Sequence, residues 1–107
     1  MKAQKPDTLC IHAGYSPKNG EPRVAPIVQS TTYVYESSQE MGALFDLQEE
    51  GFFYTRLGNP TLDVVEKKIA ALEGGVGAML TSSGQAASLM AVLNICPAGF
   101  HVVSSSA

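Results

Sequence analysis

An α/β fold entered through an extended arm is what the sequence predicts, on three observations. Val76 to Thr81 reads as a short buried strand, Gly84 to Ile95 as a helix apolar on nearly all sides, and Phe100 to Ser104 as a second strand. Strand, helix and strand in that order make one βαβ unit, with parallel strands joined by a crossover. Ahead of it stand two helix signals within 37–73, and ahead of those, residues 1–36 hold no helical period. The expected division is an extended arm over 1–36 and the start of a large α/β domain over 37–107.

Taken in order, the arm is broken by Pro6, Pro17, Pro22 and Pro26, and Asn19-Gly20 has the composition of a turn. The run Gln29 to Tyr35 is rich in Thr, Tyr and Val, which suits extended backbone. Such an arm buries little of itself and is expected to lie on a larger body or on a partner chain. Ser37 and Glu40 form a capping box, so a helix starts there, with Met41, Leu44 and Phe45 on its apolar face and Gly51 beyond its end. The next helix is opened by Asn59 as N-cap and Pro60 at the first helical position. Leu62, Val65, Ile69 and Leu72 give it a helical period, Asp63 and Lys67 can pair across one turn, and Gly74-Gly75 stop it. Pro97 and Gly99 end the helix that begins at Gly84. Parallel sheets are covered on both faces and need several strands, so more chain is expected after Ala107.

Bulk composition narrows the function classes. The chain is 45% hydrophobic and 16% charged, with a net charge of −3. That balance offers no basic field for nucleic acid or an acidic membrane, and the arginines are Arg23 and Arg56 alone. The apolar stretch Ala86 to Cys96 is far shorter than the about 20 residues a membrane span needs. Lys2 and Lys5 are followed by no apolar run, so no secretory signal is read. Cys10 and Cys96 fit no metal spacing and read as free thiols in a reducing cytoplasm.

Two segments could carry chemistry. Thr81-Ser82-Ser83-Gly84-Gln85 lies between a strand and a helix. The first N–H groups of a helix lack internal partners and carry partial positive charge, and a glycine there lets an anion come close. The plain alternative is an ordinary N-cap followed by glycine. In Tyr54-Thr55-Arg56, an extended backbone would point the phenol and the guanidinium the same way. Together they suit a phosphate dianion, the arginine by a forked pair of bonds. The alternative is a surface tyrosine beside a solvated arginine. Gly74-Gly75-Val76-Gly77 follows a helix and opens a strand, the reverse of a dinucleotide fingerprint, and no Walker loop is present. His12 and His101 have no triad or metal partners near them in sequence and read as structural.

Several of these pieces, in this order, resemble the Cys/Met-metabolism family of pyridoxal phosphate (PLP) enzymes. They are His12-Ala13-Gly14, Pro26 to Thr32, Tyr54 to Thr61, Ala70 to Gly75 and Ser82 to Ala87. Asn19 to Arg23, Gly51 to Asn59 and Ser83 to Ser88 tilt the likeness toward O-acetylhomoserine sulfhydrylases, with methionine and cystathionine γ-lyases as the alternative. The resemblance implies a fold-type-I large domain and PLP as electron sink for γ-replacement, with sulfide replacing acetate to give homocysteine. It implies that Ser83, Gly84 and Gln85 hold the phosphate within one subunit, while Tyr54 and Arg56 reach the phosphate of a neighbour. A proton-relay role for Tyr54 is also implied, as is a homo-oligomer of tetramer type with the arm packed across the interface. The family's PLP-bearing lysine, ring-stacking aromatic, pyridine-pairing aspartate and carboxylate-binding arginine fall beyond Ala107. This chain alone is therefore expected to be inactive, and a non-catalytic phosphate-binding or interaction fragment is the reading from another class. Phe100 departs from the pattern, which has aspartate between Gly99 and His101.

Overall fold

The structure, a computed structural model, describes residues 5–106. Residues 1–4, with which the expected arm begins, and Ala107 lie outside the described residues. Four helices follow one another: α1 (Pro6–His12), α2 (Ser38–Phe45), α3 (Pro60–Glu73) and α4 (Gly84–Ile95).

The helix α1 corrects the expectation of an arm without helix. Pro6 stands at its first turn, where the missing N–H costs nothing, so a residue read as a breaker is a starter. Seven residues are too few to show a period. The helix packs against α3. Gly14, at φ +87°, makes that approach close: a Cβ there would run into the Val64 carbonyl oxygen and sit 3.1 Å from the Lys68 nitrogen.

The three later helices begin where their caps say. Ser37 Oγ accepts the Glu40 N–H at 3.2 Å and starts α2. That helix ends earlier than Gly51, because Leu47 turns to φ 57° and Asp46 N–H closes on the Gly42 carbonyl at 2.9 Å. Asn59 Oδ1 accepts the Thr61 N–H at 2.8 Å and starts α3. Gly74, left-handed at φ 66°, ends it. The Asp63–Lys67 pair forms at 2.6 Å on the exposed side of α3. Ser83 Oγ accepts the Ala86 N–H at 3.1 Å and starts α4. Past α4, Gly99 at φ +94° stands third in a turn closed by Phe100 N–H to Pro97 O at 3.1 Å. That is a conformation glycine supplies and the following side chain does not disturb, which is how Phe100 is accommodated.

The two segments read as strands form no strand or ladder among the described residues. Parallel pairing is stable when both faces are covered. Here Val76, Met79, Val102 and Val103 are all exposed. For the same reason α4, expected to be buried, leaves Leu89, Leu93 and Ile95 in the open. Among the described residues the buried apolar side chain is Leu44, beneath Gly51. A radius of gyration of 17.6 Å exceeds the ~13 Å of a compact domain this size. The apolar surface of residues 76–104 is thus not closed over a core, whereas the arm and the start of α3 are tied by polar contacts.

Candidate phosphate-binding segments

The arm and the 52–61 segment are laced together. Thr32 and Tyr54 form an antiparallel bridge, and the Thr55 N–H donates to the Thr31 carbonyl at 2.9 Å. Thr55 Oγ1 donates to the Ser30 carbonyl, and Tyr35 OH to the Phe52 carbonyl at 2.9 Å. Nearer α3, the Val28 N–H donates to Thr61 Oγ1 at 2.8 Å, and that hydroxyl donates to the Pro26 carbonyl at 3.1 Å. Backbone groups of the extended arm, which has no sheet of its own, find their partners here.

Tyr54 and Arg56 lie together, but not by the expected route. Residues 54–57 form a turn, with the N–H of Leu57 at 2.9 Å and that of Gly58 at 3.1 Å from the Tyr54 carbonyl. The turn folds the Arg56 guanidinium back over the Tyr54 ring, 5.3 Å from its centroid. A cation over a phenol face keeps its N–H edges free to donate. The Tyr54 hydroxyl makes no hydrogen bond among the described residues, and Arg56 is exposed, so both polar ends are open to a further group.

Ser83, Gly84 and Gln85 form the mouth of α4. Ser83 is extended at φ −160°, and its Oγ is engaged as the cap. Thr81 Oγ1 donates to the Ser83 carbonyl at 2.9 Å and braces the approach. The N–H groups of Gly84 and Gln85 find no acceptor among the described residues, and nothing lies within 4 Å of where a Gly84 Cβ would be. Upstream, Glu66 of α3 accepts the Leu80 N–H at 2.8 Å and ties this segment to the helix before it. No described hydrogen bond or ring contact joins Tyr54 or Arg56 to Ser83, Gly84 or Gln85. A cleft of about 1050 Å³ borders Tyr54, but neither Arg56 nor the mouth of α4 lines it.

Asn59 is what the sequence reading missed. It is 5% exposed. Beyond capping α3, its amide nitrogen donates to Val28 O at 3.1 Å, Thr55 Oγ1 at 3.2 Å and Tyr33 OH at 3.4 Å. An Asn before Pro signals a cap in any sequence. Partners up to 31 residues away leave no local signal.

The family model for Cys/Met metabolism PLP-dependent enzymes matches residues 7–107. The chain belongs to that family. An O-acetyl-L-homoserine sulfhydrylase of Leptospira meyeri is 50% identical over 103 residues, covering 95% of this chain and 23% of the relative. A homocysteine/cysteine synthase of Kluyveromyces lactis is 48% identical, over 94% of this chain and 23% of its own length. The chain therefore spans about a quarter of the length of these relatives. The crystal structure of a putative O-acetylhomoserine (thiol)-lyase from Campylobacter jejuni, with N′-pyridoxyl-lysine-5′-monophosphate, superposes with a TM-score of 0.79 at 37% identity. It covers 85% of this chain and 23% of that one. The α/β, fold-type-I assignment follows from that match. For a member of this PLP-dependent family, the unsatisfied N–H pair and open space at Gly84 fit a phosphate dianion.

Proposed function

We infer that the chain is the N-terminal part of an O-acetylhomoserine sulfhydrylase. The observation that carries the reading is the pair of donor N–H groups left open at Gly84 and Gln85 in a chain so similar to sulfhydrylases. PLP, when bound, supplies the electron sink that lets the Cγ–O bond of O-acetylhomoserine break. Acetate leaves with the bonding electron pair, and sulfide sulfur bonds to Cγ to give homocysteine.

This chain's own residues bind and orient. Gly84 and Gln85 donate backbone N–H groups to the phosphate, aided by the partial positive charge at the start of α4. The Ser83 hydroxyl, while accepting from Ala86, still has its proton to donate. Arg56 contributes a forked pair of charge-assisted bonds, and Tyr54 a phenol that also relays a substrate proton. Both are lent to the neighbouring subunit's phosphate, with the arm over 1–36 packed across that interface in a homotetramer built from dimers. The absence of any described contact between the two groups within one chain supports that sharing. A reducing, cytoplasmic setting completes the reading.

The test is product identity with the full-length enzyme. Homocysteine and acetate in equal amounts from O-acetylhomoserine plus sulfide are expected. Release of 2-oxo acid from methionine or cystathionine, without homocysteine formation, would instead make it a γ-lyase and overturn the assignment.

A further inference from the structure

We propose that Asn59 is a positioning residue that sets the aim of the Arg56 guanidinium by gripping Thr55, the residue before it. The inference rests on the phosphate-binding role given to Arg56 above.

Thr55 sits between the two functional side chains and is held at two points. Its N–H donates to Thr31 O at 2.9 Å. Its hydroxyl donates to Ser30 O and accepts from Asn59 Nδ2 at 3.2 Å. A residue held at its backbone and its side chain leaves the neighbours on either side little freedom to rotate. The grip is transmitted because Asn59 is itself locked. Its Oδ1 accepts the Thr61 N–H at 2.8 Å, and its Nδ2 faces the Val28 carbonyl at 3.1 Å. Flipping the amide would set NH₂ against an N–H donor and C=O against a carbonyl, so one orientation alone satisfies both sides. At 5% exposure, water offers no substitute partner. One amide thus fixes the start of α3, the arm and the turn carrying Arg56 relative to one another. An ordinary cap needs Oδ1 alone; the donor half of the side chain serves the turn and the arm.

Asn59→Asp separates the two halves. Aspartate caps as well as asparagine but has no N–H to give and repels the Val28 carbonyl. Thr55→Val removes the same link from its other end together with the bond to the Ser30 carbonyl, and Thr55→Ser keeps both. The readout is the dissociation constant of PLP titrated into the full-length apoenzyme, alone and with Arg56→Ala. Misaimed donors are expected to weaken PLP about tenfold in Asn59→Asp and in Thr55→Val. Thr55→Ser should stay near wild type, and neither damaging change should add to the loss already caused by Arg56→Ala. If Asn59→Asp fails to fold, the Val and Ser pair at Thr55 carries the test. Losses that multiply with that of Arg56→Ala would overturn the inference, since Asn59 would then act by another route. Unchanged affinity in Asn59→Asp and Thr55→Val, with loss in Arg56→Ala, would sink the positioning role while leaving the phosphate role standing. Unchanged affinity in Arg56→Ala would sink both.

Discussion

Replacing Gly14 by alanine probes the contact that docks α1 on α3. Two costs add. The first is conformational: φ +87° lies where alanine is strained, on the order of 1 kcal/mol at the low end of such costs. The second is steric. The new Cβ would overlap the Val64 carbonyl oxygen and crowd the Lys68 nitrogen, both backbone atoms of α3 that no rotamer change can move. Forcing α1 off α3 costs roughly 2 kcal/mol, mid-range for overpacking. Gly74→Ala supplies the control, because Gly74 has φ 66° but nothing within 4 Å of its Cβ position. It should show the strain alone. The expected gap of roughly 2 kcal/mol corresponds to about 4 °C or more in Tm for a domain of 150–250 residues. Thermal unfolding of both full-length variants, at one protein concentration because assembly shifts Tm, measures it. Equal Tm values for the two would refute the close docking of α1 on α3.

Two further outcomes follow from single contacts. Ser83→Ala removes the cap of α4 and should cost about 1 kcal/mol in thermal unfolding, with weaker PLP retention in the same sample. Glu66→Ala strips the Leu80 N–H of its acceptor, while Glu66→Gln keeps an oxygen in place. Hydrogen exchange over 76–82 should therefore accelerate in the alanine variant and stay near wild type in the glutamine one.

Helices α3 and α4 were legible because their signals are local. Asn59-Pro60 and Ser83-Gly84 state a start, and Gly74 and Pro97 state a stop, all within a few residues. The same locality explains the misses. Pro6 was read as a break because proline breaks helices from inside, and seven residues carry no period to correct that. The pairing of Tyr54 with Arg56 was expected for the wrong geometric reason. Alternation in an extended strand and a fold-back in a turn both bring residues i and i+2 near one another, and Gly58 was the available hint of the turn. Burial of α4 and pairing of the strands depend on surfaces beyond any one segment, and apolar composition states the need for a cover without supplying it. The shared role of Asn59 had no local signature, since Val28 and Tyr33 reach it from the arm, 26 and more residues away.

A phosphate dianion has three outer oxygens, and the first turn of one helix answers only part of that demand. Within this chain the Gly84 and Gln85 donors stand open at one place, and the Arg56 guanidinium, over the Tyr54 ring, stands open at another. The Thr31–Thr55, Thr55–Asn59 and Thr61–Val28 bonds make the second place rigid without tying it to the first. An exposed donor held rigid suits an acceptor that belongs to another copy, because preorganisation lowers the cost of ordering at the interface. On that reasoning the polar lacing of the arm and the proposed sharing of the phosphate are one device, and loosening the lacing should weaken the cofactor and the assembly together.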